Sequence, residues 1–194
     1  MKNFKAVIAD PPWLERGGGK IKRGADRHYD LMKTDDIIEL LVNDCPPLLF
    51  LDEGQSALFL WVTNNFLKDG LRVMDALGFR YVTNLVWAKT RSGLGYYFFG
   101  QHELVLFGVK GKWPRPPKVT GHNTTLLGGA PLPHPNNREH STKPPALHDM
   151  IEARFPGDYL ELFARTPRPG WTVWGNQAEG SPPPPNGDTQ VALL

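Results

Sequence analysis

Apolar residues in this chain gather into short blocks separated by polar, Pro- and Gly-rich stretches. Phe4 to Ala9 (FKAVIA) is an apolar run that ends in Asp-Pro-Pro. It reads as a buried strand, and the prolines bar its continuation. Asp35 to Asn43 carries Ile37, Ile38, Leu40 and Leu41 on one side of a predicted helix, with Thr34 as its N-cap. Ala57 to Val62 (ALFLWV) is a second buried strand. Leu67, Leu71 and Met74 then return at helical spacing, with Asn64 or Asn65 placed to cap and Gly78 beyond the end. Tyr81 to Trp87 and Glu103 to Val109 read as a third and a fourth strand. Residues 110–140 carry Lys110, Lys112, Arg115, Lys118 and Arg138 among prolines and glycines, which predicts a long irregular loop of the kind that usually has a function. Ser141 or Thr142 is then placed to cap a helix with Pro144 and Pro145 in its first turn. Leu147, Met150, Ile151 and Phe155 form its apolar face. Asp158 to Phe163 and Trp171 to Trp174 are two more strands.

Strands alternating with helices predict an open, mostly parallel α/β sheet with helices on both faces. Ligands in such sheets sit beyond the carboxyl ends of the strands, which puts Asp10 on the functional rim. The length of 194 residues suits one domain, expected over residues 1–179. The last segment, 180–194, is Pro-rich and poor in apolar residues, so it is expected to be a disordered tail.

Composition adds little to the pattern. A net charge of +2 permits a nucleic-acid partner without pointing to one. The single cysteine, Cys45, excludes an intrachain disulfide, reads as a small apolar filler and predicts a reducing, cytoplasmic setting. No apolar run is long enough to span a membrane. The six histidines lack metal-ligand spacing, so no metal site is expected.

The chemistry concentrates in Asp10-Pro11-Pro12-Trp13. An aromatic amine such as adenine N6 is a poor nucleophile because its lone pair is delocalised into the ring. Acceptors aimed at its N–H groups favour pyramidal geometry and carry the charge that develops. Asp10 supplies a carboxylate and Pro11 a carbonyl, on a turn stiffened by proline. Trp13 offers a face for the base, which has to be flipped out of a duplex or already single-stranded. The basic loop that follows (Arg16, Lys20, Lys22, Arg23, Arg27) reads as a phosphate contact rather than a merely solvated charge run.

These residues resemble the DPPW-motif, MT-A type adenine-N6 methyltransferases. The resemblance extends through AVIADPPW, HYDLMKTDDI, LFLWVT, LVWAKT, HELVLFGVKG, STKP, YLELFAR and WTVWGNQ, in the family's order from Phe4 to Gln177. It implies a Rossmann-like class I fold with permuted, beta-class motif order, the catalytic motif preceding the cofactor strand, and S-adenosylmethionine as cofactor. Asp10, Pro11, Pro12 and Trp13 match the amine-binding and stacking centre, and Tyr29 matches a gate tyrosine. Glu103 matches a carboxylate that orients the base. Lys143 matches a lysine at the cofactor and acceptor site, Glu161 and Arg165 the ribose contacts, and Asn176 and Gln177 further cofactor contacts; Asp10 also borders the methionine moiety. Trp61 and Trp87 read as wall or core residues.

The chain departs from the eukaryotic messenger-RNA enzyme in carrying Thr166-Pro167-Arg168-Pro169-Gly170 after FAR, where that enzyme has a His-Asn pair close by, and Thr142 where it has histidine. It also lacks zinc fingers. These features resemble the compact microbial or phage branch and imply DNA over RNA. Competing readings are an RNA adenosine methyltransferase, an inactive nucleic-acid-binding subunit (against which stands the intact DPPW) and cytosine-N4 methylation, against which stands Asp10. Whether a protein partner or homodimer is needed stays open at this level.

Overall fold

The computed structural model describes residues 3–14, 31–93, 97–133, 142–164 and 167–175. The expected tail, 180–194, lies outside them, as do Arg16, Lys20, Lys22, Arg23, Arg27, Tyr29, Arg165, Asn176 and Gln177.

Six strands form one sheet: β1 (Phe4–Ala9), β2 (Gln55–Val62), β3 (Arg80–Ala88), β4 (His102–Gly111), β5 (Asp158–Leu162) and β6 (Trp171–Trp174). Their spatial order is β3-β4-β2-β1-β5-β6. β1 pairs in parallel with both β2 and β5, and β5 with β6, while β4 runs antiparallel between β2 and β3. The sheet is therefore mostly parallel, as the alternation of strands and helices predicts.

Alternate residues of the central strands face two separate cores. Val7, Ala9, Leu58 and Leu60 pack under α1 (Thr34–Asn43) and α2 (Leu67–Ala76). Ala6, Ile8, Phe59 and Trp61 pack under α3 (Ala146–Arg154). A strand buried on both faces has no polar side to display, which is why β1 and β2 read as continuous apolar runs. Gly70 lets α2 lie close on the sheet: a Cβ there would stand 2.5 Å from Val62 Cγ1 and 2.9 Å from Leu106 Cδ1.

The helix starts depart from expectation. α1 begins at Thr34 itself, and the Thr34 hydroxyl donates to Asp69 Oδ1 at 2.7 Å on α2, a tie between helices rather than a cap. Asn64 and Asn65 lie in a short 3-10 turn before α2 and make no side-chain cap. Of the expected apolar residues, Met74 is buried and Leu71 packs partly buried on the core, while Leu67 is 38% exposed; α2 also buries Gly70 and Val73. Pro144 and Pro145 precede α3 rather than forming its first turn, and no side-chain cap bond starts it. The 112–133 segment is irregular, but it runs along the β3 edge through isolated bridges at Val86–Leu126 and Lys89–Leu132. That covers an edge that would otherwise expose unpaired backbone groups.

Candidate active site

β1 and β5 are adjacent and parallel, yet the chain leaves β1 toward β2 on one side and β5 toward β6 on the other. Such a divergence opens a crevice at the carboxyl ends of the two strands. Asp10 stands at this point directly after β1, and its backbone N–H reaches Leu162 O at 3.4 Å across the gap.

The DPPW turn is built from backbone bonds. Trp13 N–H donates to Pro11 O at 2.9 Å, closing the turn on itself. Met32 N–H donates to Pro12 O at 2.8 Å, and Leu14 N–H to Met32 O at 3.0 Å, so the returning chain is clamped onto the turn. A carbonyl oxygen has two lone pairs; Pro11 thus keeps acceptor capacity, while Pro12 serves the clamp. Trp13 belongs to the frame: it is 6% exposed, stacks on Phe66 at 5.4 Å and donates from Nε1 to Trp61 O at 3.0 Å. Its expected role as a face for the base is not what this placement offers.

Four charged side chains meet above two buried tryptophans. Lys143 Nζ donates to Asp10 Oδ2 at 2.9 Å and lies 3.7 Å from Glu103 Oε2. Glu103 Oε1 in turn accepts from Lys89 Nζ at 2.5 Å. The signs alternate, so each charge is stabilised by its neighbour in a setting where an isolated one would be costly. Lys143 Nζ is 5.4 Å from the Trp61 ring centroid and Lys89 Nζ 4.7 Å from that of Trp87, and the two rings meet edge to face. Both tryptophans are buried. The structure thus brings Asp10, Glu103 and Lys143 together from β1, β4 and the segment before α3. It adds Lys89, which sequence reasoning missed; a lysine placed just beyond a strand on the same rim was the only signal.

Glu161, on β5, faces α3, where His148 Nε2 lies 3.0 Å from its Oε2. His148 is wedged edge-on against Trp171 at 4.8 Å, and its buried Nδ1 has no hydrogen-bond partner among the described residues. Beside it, Arg168 reaches Asp149 at 2.9 Å and Glu152 at 2.9 Å, and Trp171 Nε1 donates to Glu152 at 2.7 Å. The Arg168 hydrogen bond holds the Glu152 carboxyl below its ordinary range, aided by Trp171 and opposed by burial. The same contact raises the Arg168 guanidinium. The loop after FAR, where this chain departs from the eukaryotic pattern, is thereby strapped to α3.

Between Glu161 and that loop, Phe163 holds φ 62°. A bulky residue in the left-handed region costs about 1–2 kcal/mol. Gly175 packs over it, where a Cβ would stand 2.8 Å from the Phe163 and Ala164 backbone. The end of β5 is thus a strained turn packed tightly against a glycine, where no larger residue would fit.

A mostly parallel, Rossmann-like sheet with Asp10-Pro11-Pro12-Trp13 at its switch point is the framework of a methyltransferase. The chain belongs to the MT-A70 family, whose sequence profile matches residues 4–177. It is 30% identical over 187 residues to the type II methyltransferase M.MunI of a Mycoplasma species, covering 90% of this chain and 77% of that protein. It is 32% identical over 191 residues to the human N(6)-adenosine-methyltransferase catalytic subunit METTL3, covering 91% of this chain and 28% of that protein. Human METTL4, an N(6)-adenine-specific methyltransferase, is 29% identical over 200 residues, with 91% of this chain and 38% of that protein covered.

Proposed function

We propose that this protein transfers a methyl group from S-adenosylmethionine to N6 of adenine in DNA. The observation that carries the reading is Asp10, held by Lys143 at the switch point on a turn closed by its own backbone. The donor set suits the cofactor: an ammonium (Lys143) for a carboxylate, a carboxylate (Glu161) for ribose hydroxyls, and a glycine-backed turn between them. When bound, the cofactor supplies a methyl group on a positively charged sulfur. Arg165, Asn176 and Gln177 are the further proposed contacts.

Asp10 accepts a hydrogen bond from the target amine, and the Pro11 carbonyl accepts a second. Together they fix the lone pair of N6 toward the crevice, so the rate gain comes from positioning and electrostatics. Lys143 holds the Asp10 side chain by one oxygen, and a carboxylate is a good acceptor and a weak base. A weak base suffices, because an amine that has just gained a methyl group is acidic and loses its proton to water. Glu103, held by Lys89, orients the base edge, and Tyr29 gates its entry. The loop with Arg16, Lys20, Lys22, Arg23 and Arg27 meets the phosphates. DNA is preferred to RNA on the resemblance to the compact branch and on the similarity to M.MunI.

One catalytic domain over 1–179, a cytoplasmic setting with Cys45 as a free thiol, and a nucleic-acid partner complete the reading. No helix among the described residues is long and apolar enough to cross a membrane. Tyr97, Phe98 and Phe99, exposed on the β3–β4 connection, offer a surface for a second copy or a partner subunit.

The test is methyl transfer from labelled S-adenosylmethionine to duplex DNA, single-stranded DNA and RNA of matched sequence, with the modified nucleoside identified by mass. N6-methyladenine in DNA is the expected product. Modification of RNA alone would move the substrate, and no transfer despite cofactor binding would leave a binding-only subunit.

A further inference from the structure

The α3 face of the sheet holds a cavity of about 390 Å³, within the usual size of small-ligand pockets. Phe59, Phe107 and Phe155 line it from β2, β4 and the end of α3, and Trp113 lines it from the loop after β4. It is separate from the charged rim: Phe107 lies four residues along β4 from Glu103, about 13 Å at strand spacing. It opens toward the starts of the parallel strands, whereas Asp10 lies beyond their ends.

Its charge is one-sided. Arg80, Arg115 and Arg154 line the cavity, and among the described residues no aspartate or glutamate does. Among the described residues none of the three guanidiniums is paired with a carboxylate. Arg154 is committed to the loop, donating to Pro117 O at 3.2 Å and His122 O at 2.8 Å. Arg80 and Arg115 are exposed at the mouth. A chamber walled by aromatic rings and rimmed by uncompensated guanidiniums matches a ligand with a flat ring and a phosphate.

We propose that this cavity binds a nucleotide, with the base against Trp113 and the phenylalanines and the phosphate on Arg80 and Arg115. Resting on the function proposed above, its source is a nucleotide of the substrate strand outside the target adenine. Trp113 and Arg115, the aromatic and basic residues that the loop after β4 brings to the cavity, then act as a reader of flanking sequence.

The experiment measures binding of a labelled single-stranded oligonucleotide and of adenosine monophosphate to the full chain. It compares the wild type with Arg80→Ala/Arg115→Ala, with Trp113→Ala and with Lys118→Ala, which lies in the same loop outside the cavity. Photolabelling with 8-azidoadenosine monophosphate, mapped by mass spectrometry, locates the site directly. Expected are a loss of oligonucleotide affinity of about tenfold or more in the first two variants, a shallower salt dependence in the arginine variant, little change in Lys118→Ala, and label on Trp113 or its neighbours. Weakened binding of the mononucleotide alone would support the site and make a free nucleotide its source. Unchanged affinity for both ligands with label elsewhere would overturn it. The two proposals fail separately: methyl transfer with a polymer KM untouched by these variants removes the cavity's role, whereas nucleotide binding here without any methyl transfer removes the enzyme reading.

Discussion

The ends of β1 and β5 lie side by side, yet the carboxylates there are held in opposite ways. Asp10 is met by Lys143, which also touches Glu103, which is held by Lys89. Glu161 is met by His148, an imidazole charged only when protonated and itself wedged on Trp171. The first arrangement is a chain of formal charges in which the loss of one member is felt by the rest. The second is a single contact from an imidazole that is itself packed on Trp171. In the function proposed above, the chemistry falls to the chain of charges and ligand holding to the imidazole contact.

The sharpest way to break this contrast is Asp10→Ala. Methyl transfer is expected to fall by about 10²–10³-fold, the scale of losing one preorganised group, while cofactor Kd changes little. An equal loss of cofactor affinity, read by calorimetry, would erase the division between the two turns. Next is Lys143→Ala, expected to lower kcat/KM by about 10²-fold through an uncompensated Asp10, with Lys143→Arg recovering part of it. A double-mutant cycle with Glu103→Gln should show a coupling of roughly 1 kcal/mol; additivity would mean that the charges do not act together. On the other side, His148→Ala should raise the KM for S-adenosylmethionine about tenfold, the worth of one hydrogen bond to a charged group, with kcat held. A fall in kcat at unchanged KM would place His148 with the chemistry instead.

The smallest effect concerns stability. Glu152 is held below its ordinary range chiefly by Arg168, so its contribution is present above the unfolded carboxyl value and lost as pH falls through the folded one. The wild type should therefore lose Tm between about pH 5 and 3 more steeply than Arg168→Ala. The pair is partly exposed and worth under about 1 kcal/mol, so the difference amounts to a few degrees at most. Parallel Tm curves for the two proteins would exclude the strap as a source of stability.

The apolar strands were legible because burial on both faces leaves an unbroken hydrophobic run, and FKAVIA and ALFLWV fall inside β1 and β2. The helix starts were not, because Thr34 found a tertiary partner in Asp69 and the asparagines before α2 entered a 3-10 turn. Local propensity gives no sign of such partners. Of the site, Asp10 was legible because a turn residue directly after a central parallel strand falls on the rim. Lys89 was not, because its meaning depends on Glu103 across a strand pair. The demotion of Trp13 from open face to frame likewise depends on Phe66 and Trp61, which no spacing rule connects to it.

The pairing of β1 with β5 joins segments some 150 residues apart. On the ribosome, at roughly 5–20 residues per second, the inner edge of β1 waits on the order of ten seconds for its partner to emerge. During that interval the most apolar strand of the protein presents an open edge. Nascent chains arrested before Asp158 should therefore bind chaperones or aggregate, and release should come only once β5 has left the exit tunnel. With β1 and β5 so far apart in the chain, the crevice between their ends forms only after β5 has emerged.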